Sequence, residues 1–209
     1  MGQIADDWDM ESVKKRSALS KLRASLEEGK VYRRADLLHL SAAVDRHLAM
    51  LVKEGSLKKL NQGLYLCPKK TVFGEAPASH EELARSFLKD DHFVVYSPSD
   101  FNSLGFGTTQ LYNKTVVFNR KRSGEFTLGG HKFFFQQWRE APKRASKEFL
   151  LVEMFNRLHE LAEDRKSVMT KIKEKLPEFN RSKLLFALRH YGHTSTQRKL
   201  NELMKDLKK

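Results

Sequence analysis

Residues 41–66 have the sequence SAAVDRHLAMLVKEGSLKKLNQGLYL, in which a helical pattern is followed at once by two short apolar runs around a turn. Ser41 is predicted to cap a helix that ends at Gly55, because serine is favoured at the N-cap and glycine just past a helix C-terminus. Residues 57–60 and 64–66, on either side of a turn that contains Gly63, predict a β-hairpin.

The residues before this segment predict two further helices. Leu22 and Leu26 belong to a helical repeat of apolar residues over residues 11–28, which Gly29 is expected to stop. A second, short helix is predicted over residues 34–40. Three helices followed by a hairpin within about the first 70 residues of the chain predict a winged helix-turn-helix.

The charge of the chain indicates its first candidate partner. Lysine and arginine number 39 against 26 acidic residues, a formal net charge of +13. Residues 12–70 carry a net charge of +9, residues 71–140 carry none, and residues 141–209 carry +8. Basic surface gains affinity for nucleic acid by releasing counterions from phosphates. The alternative is a soluble basic protein whose charge has no specific partner.

The predicted third helix has two distinct sides. At 100° per residue one side is apolar, and the opposite side collects small and basic residues: Ala42, Arg46, Ala49, Met50 and Lys53. Small residues allow the backbone to approach the major groove, and Arg46 is suited to a bidentate contact with guanine. Lys53 lies two turns further on and is expected to meet a phosphate, as are the free N–H groups at the helix start near Ser41.

Basic residues also flank this helix. Arg33 and Arg34 precede the second helix, and Lys58 and Lys59 lie on the hairpin, where a winged helix contacts flanking backbone or the minor groove. The candidate DNA-binding residues are Arg33, Arg34, Ser41, Ala42, Arg46, Lys53, Lys58 and Lys59. The alternative is an ordinary solvated helix face, with Asp45 and Arg46 forming a surface ion pair.

The rest of the chain predicts a small mixed α/β domain and then helices. Residues 69–79 are expected to be a linker, and the Gly129-Gly130 pair between aromatic runs predicts a hairpin. Helices are predicted over residues 80–89, from Ser97 to Leu104, from Ser146 with an apolar stripe reaching Leu161, and over residues 167–175, 181–191 and 194–207; strands are predicted over residues 93–96, 115–118, 126–128 and 132–135. The fold class is therefore α+β, with domains over residues 1–70, 71–142 and 143–209.

Catalytic and metal-binding motifs are weak in this sequence. It has neither a phosphate-binding loop followed by Lys-Ser or Lys-Thr nor a His-Glu-x-x-His helix, and His190 and His193 flank Gly192 without a firm helical face. We therefore expect no enzyme activity, no metal and no cofactor. The lone Cys67 is expected to pack in the core and fits a reducing cytoplasm, and no apolar run is long enough to predict a membrane partner.

Several segments resemble the AbiEi family of bacterial antitoxins and related winged-helix regulators. They are LAMLVKEGSL at 48–57, GLY at 63–65, SP at 97–98, NSLGFGTTQLYN at 102–113, TVVFN at 115–119 and KEFL at 147–150. The likeness covers about residues 15–165. The winged-helix part is generic, whereas the segment over residues 103–113 is distinctive.

The resemblance implies a function. Proteins of this family bind inverted repeats in their own promoter through an N-terminal winged helix, and they counter a nucleotidyltransferase-like toxin that need not touch them. The family's DNA contacts correspond here to Ser41, Arg46, Lys53, Lys58 and Lys59. The first hypothesis is thus a sequence-specific transcriptional autorepressor that acts as an antitoxin.

The sequence is also compatible with two other functions, and the basic residues near the C-terminus have two interpretations. The chain is alternatively a protein-interaction module that binds and neutralises a protein partner, with the winged helix as scaffold, or an RNA-binding factor. The basic residues after about 165, such as Lys171, Lys173 and Lys175, fit either a solvated surface or contacts with flanking DNA.

Overall fold

The computed structural model describes residues 17–106, 108–142 and 144–206. Within these residues, helices and three small sheets give the mixed α and β content expected of an α+β protein. Contacts divide the chain into two compact units, a first unit up to Ala78 and a second unit from Ser79 onward. The domain boundary predicted at residue 142 therefore lies inside the second unit.

The first unit begins with a helix that is shorter than predicted. Helix α1 spans Ala18–Ala24, and the part of the prediction over residues 11–16 lies outside the described residues. The helix ends well before Gly29 because Ser25 donates its hydroxyl to the carbonyl of Leu22 at 2.7 Å, a local bond that competes with helix continuation. Strand β1, which was not predicted, follows at Val31–Arg33.

The next elements match the sequence pattern closely. A 3-10 helix spans Arg34–Leu40, and α2 spans Val44–Lys53 after a turn of three residues. Strands β2 (Lys58–Asn61) and β3 (Leu64–Leu66) form the predicted hairpin, and β1 completes an antiparallel sheet in the order β1-β3-β2. Leucines and valines of α1, the 3-10 helix and α2 pack with Cys67 into one core, which confirms the predicted burial of Cys67.

The linker predicted over residues 69–79 is wrong for most of its length. Strands β4 (Lys69–Thr71) and β5 (Gly74–Ala76) form a separate two-stranded hairpin. Thr71 closes its turn, because the threonine hydroxyl donates to the carbonyl of Gly74 at 2.7 Å and accepts from the amide of Phe73 at 3.3 Å. Side-chain bonds of this kind order a turn that the sequence pattern alone does not indicate.

The second unit contains a four-stranded sheet beside helices. Helix α3 (His80–Leu88) precedes β6 (Phe93–Tyr96), and a 3-10 helix at Pro98–Leu104 leads towards β7 (Thr115–Asn119). Strands β8 (Gly124–Leu128) and β9 (His131–Gln137) meet at the predicted Gly129-Gly130 turn, where both residues have positive φ. The strand order is β6-β7-β9-β8, and only the β7–β9 pair is parallel.

Four helices complete the second unit, together with a one-turn 3-10 helix at Leu176–Glu178. They are α4 (Lys147–Asn156), α5 (Arg165–Lys175), α6 (Arg181–Tyr191) and α7 (Thr194–Asp206). Helix α4 is buried on every side from Glu148 to Asn156. The residues of the predicted apolar stripe lie in or against the core as far as Leu161, but the helix ends at Asn156, so its predicted continuation to Leu161 is wrong. Residues of β6 and β7 share one core with α4 to α7, and Phe118 packs edge-on against Phe149 at 5.4 Å between ring centroids.

Candidate nucleic-acid interface

Helix α2 presents the small and basic face that the sequence predicts. Arg46, Ala49, Met50 and Lys53 on the helix are all exposed, and so is Ala42, which lies in the turn before it. The side chains of Arg46 and Lys53 make no hydrogen bond or ion pair with any described residue. The two residues are seven positions apart, about 10 Å along a helix axis. This face therefore presents two cations beside small side chains, so a nucleic-acid backbone or a base edge can approach it closely.

The opposite face of α2 holds one residue that sequence reasoning did not place there. Val44, His47, Leu48 and Leu51 are buried, whereas Val52, which is on the apolar side of the predicted helix, is half-buried. His47 lies one turn from both Val44 and Leu51, and this helical spacing was the available signal. Its Nδ1 lies 2.8 Å from the hydroxyl oxygen of Ser41, so a buried polar pair locks the turn that precedes the helix.

Ser41 does not have the role that was predicted for it. The helix begins at Val44, and Ala43 occupies the N-cap position without a side-chain hydrogen bond. Ser41 is only 5% exposed, and its hydroxyl accepts from the amide of Ala43 at 3.1 Å. It therefore shapes the turn from inside, and its buried hydroxyl is not placed to contact a nucleic acid.

Arg34 is paired within the first unit. Its Nε and its terminal nitrogen donate to the two carboxylate oxygens of Asp45 at 2.5 and 2.6 Å, a bidentate ion pair between the 3-10 helix and the first turn of α2. These hydrogen bonds raise the pKa of Arg34 and lower the pKa of Asp45. The alternative in which Asp45 pairs with Arg46 is therefore wrong, and the formation of the Arg34–Asp45 pair leaves Arg46 free.

The hairpin supplies two further cations on opposite faces. Lys58 pairs with Leu66 across the β2–β3 ladder and Lys59 pairs with Tyr65, and consecutive strand residues point to opposite sides of a sheet. The two lysines thus do not form a single patch, although both are exposed. The tip of the hairpin is tied to the 3-10 helix, because the amide of Arg34 donates to the carbonyl of Gly63 at 2.9 Å.

Several other cations of the first unit are neutralised by neighbours. Arg23 lies 2.5 Å from Glu54 and Lys30 lies 2.5 Å from Glu27. Arg33, half-buried on β1, has no ion-pair or hydrogen-bond partner for its side chain among the described residues. The free positive charge near α2 is thus carried by the predicted Arg33, Arg46, Lys53, Lys58 and Lys59, and not by Arg34.

The segment that carries the distinctive resemblance forms an anchored loop in the second unit. The amide of Tyr112 donates to the hydroxyl of Ser99 at 2.7 Å, and the phenol of Tyr112 donates to Glu163 at 3.2 Å. Leu111, the residue before Tyr112, is exposed, and Gly107 lies outside the described residues. Several contacts therefore hold the loop in place without covering Leu111.

The described part of the chain holds neither a metal-binding cluster nor a membrane-spanning helix. Within it no group of three or more His, Cys, Asp or Glu side chains is arranged to hold a metal ion. Over the same residues no helix combines the length and the apolar character that crossing a bilayer requires.

Comparisons with known proteins give a fold and no family. No protein-family model matches the chain, and no curated protein sequence matches it. Among solved structures it is similar to the RV2827C protein from Mycobacterium tuberculosis, with a TM-score of 0.55 and 16% sequence identity. The alignment covers 90% of this chain and 74% of that chain. At this identity the likeness shows a shared fold alone.

Proposed function

We propose that the protein is a sequence-specific, DNA-binding transcriptional repressor of its own promoter and the antitoxin of a bacterial toxin–antitoxin system. The first unit then acts as a winged helix-turn-helix, with α2 as the recognition helix and the β2–β3 hairpin as the wing. The observation that carries the proposal is the pair of free cations, Arg46 and Lys53, on the small-residue face of α2.

Each side chain has a separate task in this mechanism. With α2 in the major groove, Arg46 donates two hydrogen bonds to guanine O6 and N7, and Ala42 and Ala49 leave room for the base edges. Lys53 neutralises a phosphate, while the hairpin lysines add contacts with flanking backbone. The Arg34–Asp45 pair holds the start of α2 against the preceding 3-10 helix.

The antitoxin part of the proposal rests on the resemblance of residues 97–119 and 147–150 to the AbiEi family. Its target is a nucleotidyltransferase-like toxin encoded beside it, and both proteins act in the cytoplasm. Two copies bind an inverted repeat in the promoter, and this two-fold placement on DNA requires no stable dimer in solution.

A gel-shift titration tests the DNA-binding part directly. The full chain is titrated against the duplex upstream of its own gene and against a shuffled duplex at the same salt concentration. Arg46→Ala should weaken binding to the promoter by about 1–3 kcal/mol, or about 5- to 150-fold, with little effect on the shuffled duplex. Arg46→Lys is the matched control, since it keeps the charge but loses the bidentate geometry.

The outcomes of this titration are distinct. Loss of discrimination in Arg46→Lys with unchanged binding to the shuffled duplex supports base recognition. An equal loss on both duplexes in Arg46→Ala makes Arg46 a phosphate contact, and equal binding of the wild-type chain to both contradicts a sequence-specific repressor. Growth of cells that express the neighbouring gene, with and without this chain, tests the antitoxin part, and failure to restore growth contradicts it.

One observation favours a second candidate function, a protein-interaction module. Val72 and Phe73, at the tip of the β4–β5 hairpin, are 93% and 98% exposed, whereas turns usually carry polar residues. A partner that co-purifies after nuclease treatment, and that Phe73→Ser releases, would support this candidate. A partner lost on nuclease treatment would return the assignment to DNA binding.

A further inference from the structure

The second unit contains an open cleft of about 630 Å³ between the first turn of α4 and one side of α6, along which the lining runs from Ser182 to Tyr191. Its floor consists of Phe149, Ala187 and Tyr191, all nearly fully buried, and Ala141 and Pro142 form one wall. The volume lies in the range of about 300–1,000 Å³ that is typical of small-molecule sites, and the floor is apolar as such sites usually are.

An aromatic stack forms part of the cleft boundary. The ring of Phe186, which lines the cleft and is more than half exposed, stacks on His190 with centroids 4.2 Å apart and planes 25° apart. Trp138 donates its indole N–H to the carbonyl of His190, which fixes the backbone behind the stack. A flat apolar body can extend this stack, because aromatic surfaces favour offset stacked contacts.

The charges at the rim favour an anion. Arg144 and Lys183 both line the cleft and are exposed, and neither side chain bonds to another residue in the described ranges. Glu140 is the acidic residue of the lining, and its Oε2 lies 3.1 Å from Nδ1 of His190. The cleft lining therefore carries two unpaired cations and one carboxylate, and that carboxylate already lies within hydrogen-bonding distance of His190.

Tyr191 provides an unused hydrogen-bond donor in the floor. The residue is only 4% exposed, and its hydroxyl has no hydrogen-bond partner among residues 17–106, 108–142 and 144–206. Burial raises the pKa of this phenol, and the nearby Glu140 raises it further, so the hydroxyl keeps its proton. Because Tyr191 lines the cleft, this hydroxyl can donate to the oxygen of a ligand that enters it.

We propose that this cleft binds a small anionic molecule with a flat apolar body, of the aryl carboxylate or sulfonate type. The anionic group contacts Arg144 and Lys183, the flat body packs on Phe186 and the apolar floor, and Tyr191 donates to a ligand oxygen. The assignment concerns the second unit alone, and its test is independent of DNA binding.

A fluorescence titration of the full chain with 8-anilinonaphthalene-1-sulfonate tests the site. Lys183→Glu reverses one charge at the rim of the cleft and should weaken saturable binding about tenfold, because the glutamate repels the sulfonate that the lysine attracts. Lys171→Glu is the matched control: Lys171 is an exposed lysine of α5 outside the cleft, and its reversal should change the affinity less than about twofold. The neutral analogue N-phenyl-1-naphthylamine should be insensitive to both.

Two more variants keep the test decisive. Tyr191→Phe removes only the hydroxyl and should weaken binding of the sulfonate about three- to tenfold, and unchanged affinity would overturn the assignment of Tyr191 as a ligand donor. Phe73→Ser removes the exposed aromatic residue of the first unit and should leave the affinity unchanged. Absence of saturable binding, equal losses in Lys183→Glu and Lys171→Glu, or a loss caused only by Phe73→Ser would each overturn the site.

Discussion

Replacing Glu153 by glutamine removes one charge from the centre of the second unit while keeping the shape of the side chain. Glu153 is fully buried on α4. Its two oxygens accept from the hydroxyl of Tyr96 at 2.5 Å and from the amide of Asn156 at 2.8 Å, and Nε of Arg157 lies 3.5 Å away. The carboxylate therefore joins β6 to helix α4 and balances a largely buried arginine.

The expected loss can be worked out from these contacts. Breaking a buried ion pair costs about 3–5 kcal/mol, because it leaves the partner uncompensated. Arg157 is 14% exposed and retains Glu160 at 3.2 Å, which reduces the loss to about 2 kcal/mol. One oxygen also becomes an amide that cannot accept from its donor, which adds about 1 kcal/mol. We expect Glu153→Gln to lower the free energy of unfolding by about 3 kcal/mol.

Glu148→Gln on the same helix is the matched control. Glu148 is 3% exposed, but its Oε1 accepts from the amide of Asn180 at 3.3 Å, and no described cation forms an ion pair with it. Glutamine preserves that acceptor, so the change should stay within about 1 kcal/mol. Urea unfolding, monitored by Trp138 fluorescence in a Trp8→Phe background, measures both variants. Equal losses would refute the argument that pairing with Arg157 stabilises the unit, and so would no loss in Glu153→Gln.

Two further changes have definite expected outcomes. The pKa of Asp90 is lowered to about 2, first by the amide of His92, which donates at 3.0 Å, and also by nearby cations including Lys121. Because this folded pKa lies below the unfolded value, Asp90 stabilises the fold above about pH 4 and loses that contribution as the pH falls to about 2. After allowance for solvent screening, Asp90→Asn should remove about 1 kcal/mol from the change in unfolding free energy over this pH range, measured by urea unfolding. An unchanged pH profile would contradict this role of Asp90. Gly105→Ala should cost about 1–2 kcal/mol because Gly105 has φ +71°. The added Cβ would lie 2.5 Å from Nζ of Lys175, but this is the end of a flexible side chain that can move away. Lys175→Ala should therefore not rescue the stability of Gly105→Ala. Full rescue in urea unfolding would show that the contact with Lys175, and not the backbone conformation, caused the loss.

Much of the fold follows from local chemistry in the sequence. The 3-10 helix at Arg34–Leu40, the β2–β3 hairpin and the Gly129-Gly130 turn lie where apolar spacing and turn residues predict them. The exposed face of α2 was also predictable, because its residues are neighbours on one helix and a period of 3.6 residues defines their side. These features depend on residues close together in the chain, which is the information that periodicity contains.

Features that depend on distant partners were decided only by the tertiary structure. Arg34 is paired because Asp45, eleven positions along the chain, meets it across the turn after the 3-10 helix. Ser41 is buried because His47 folds back onto it. Glu153 is buried on a helix that sequence predicts to be amphipathic, since Tyr96 and Arg157 satisfy its oxygens. A polar or charged side chain is exposed or buried according to whether folding brings it a partner that offsets its desolvation, and no local pattern contains that partner.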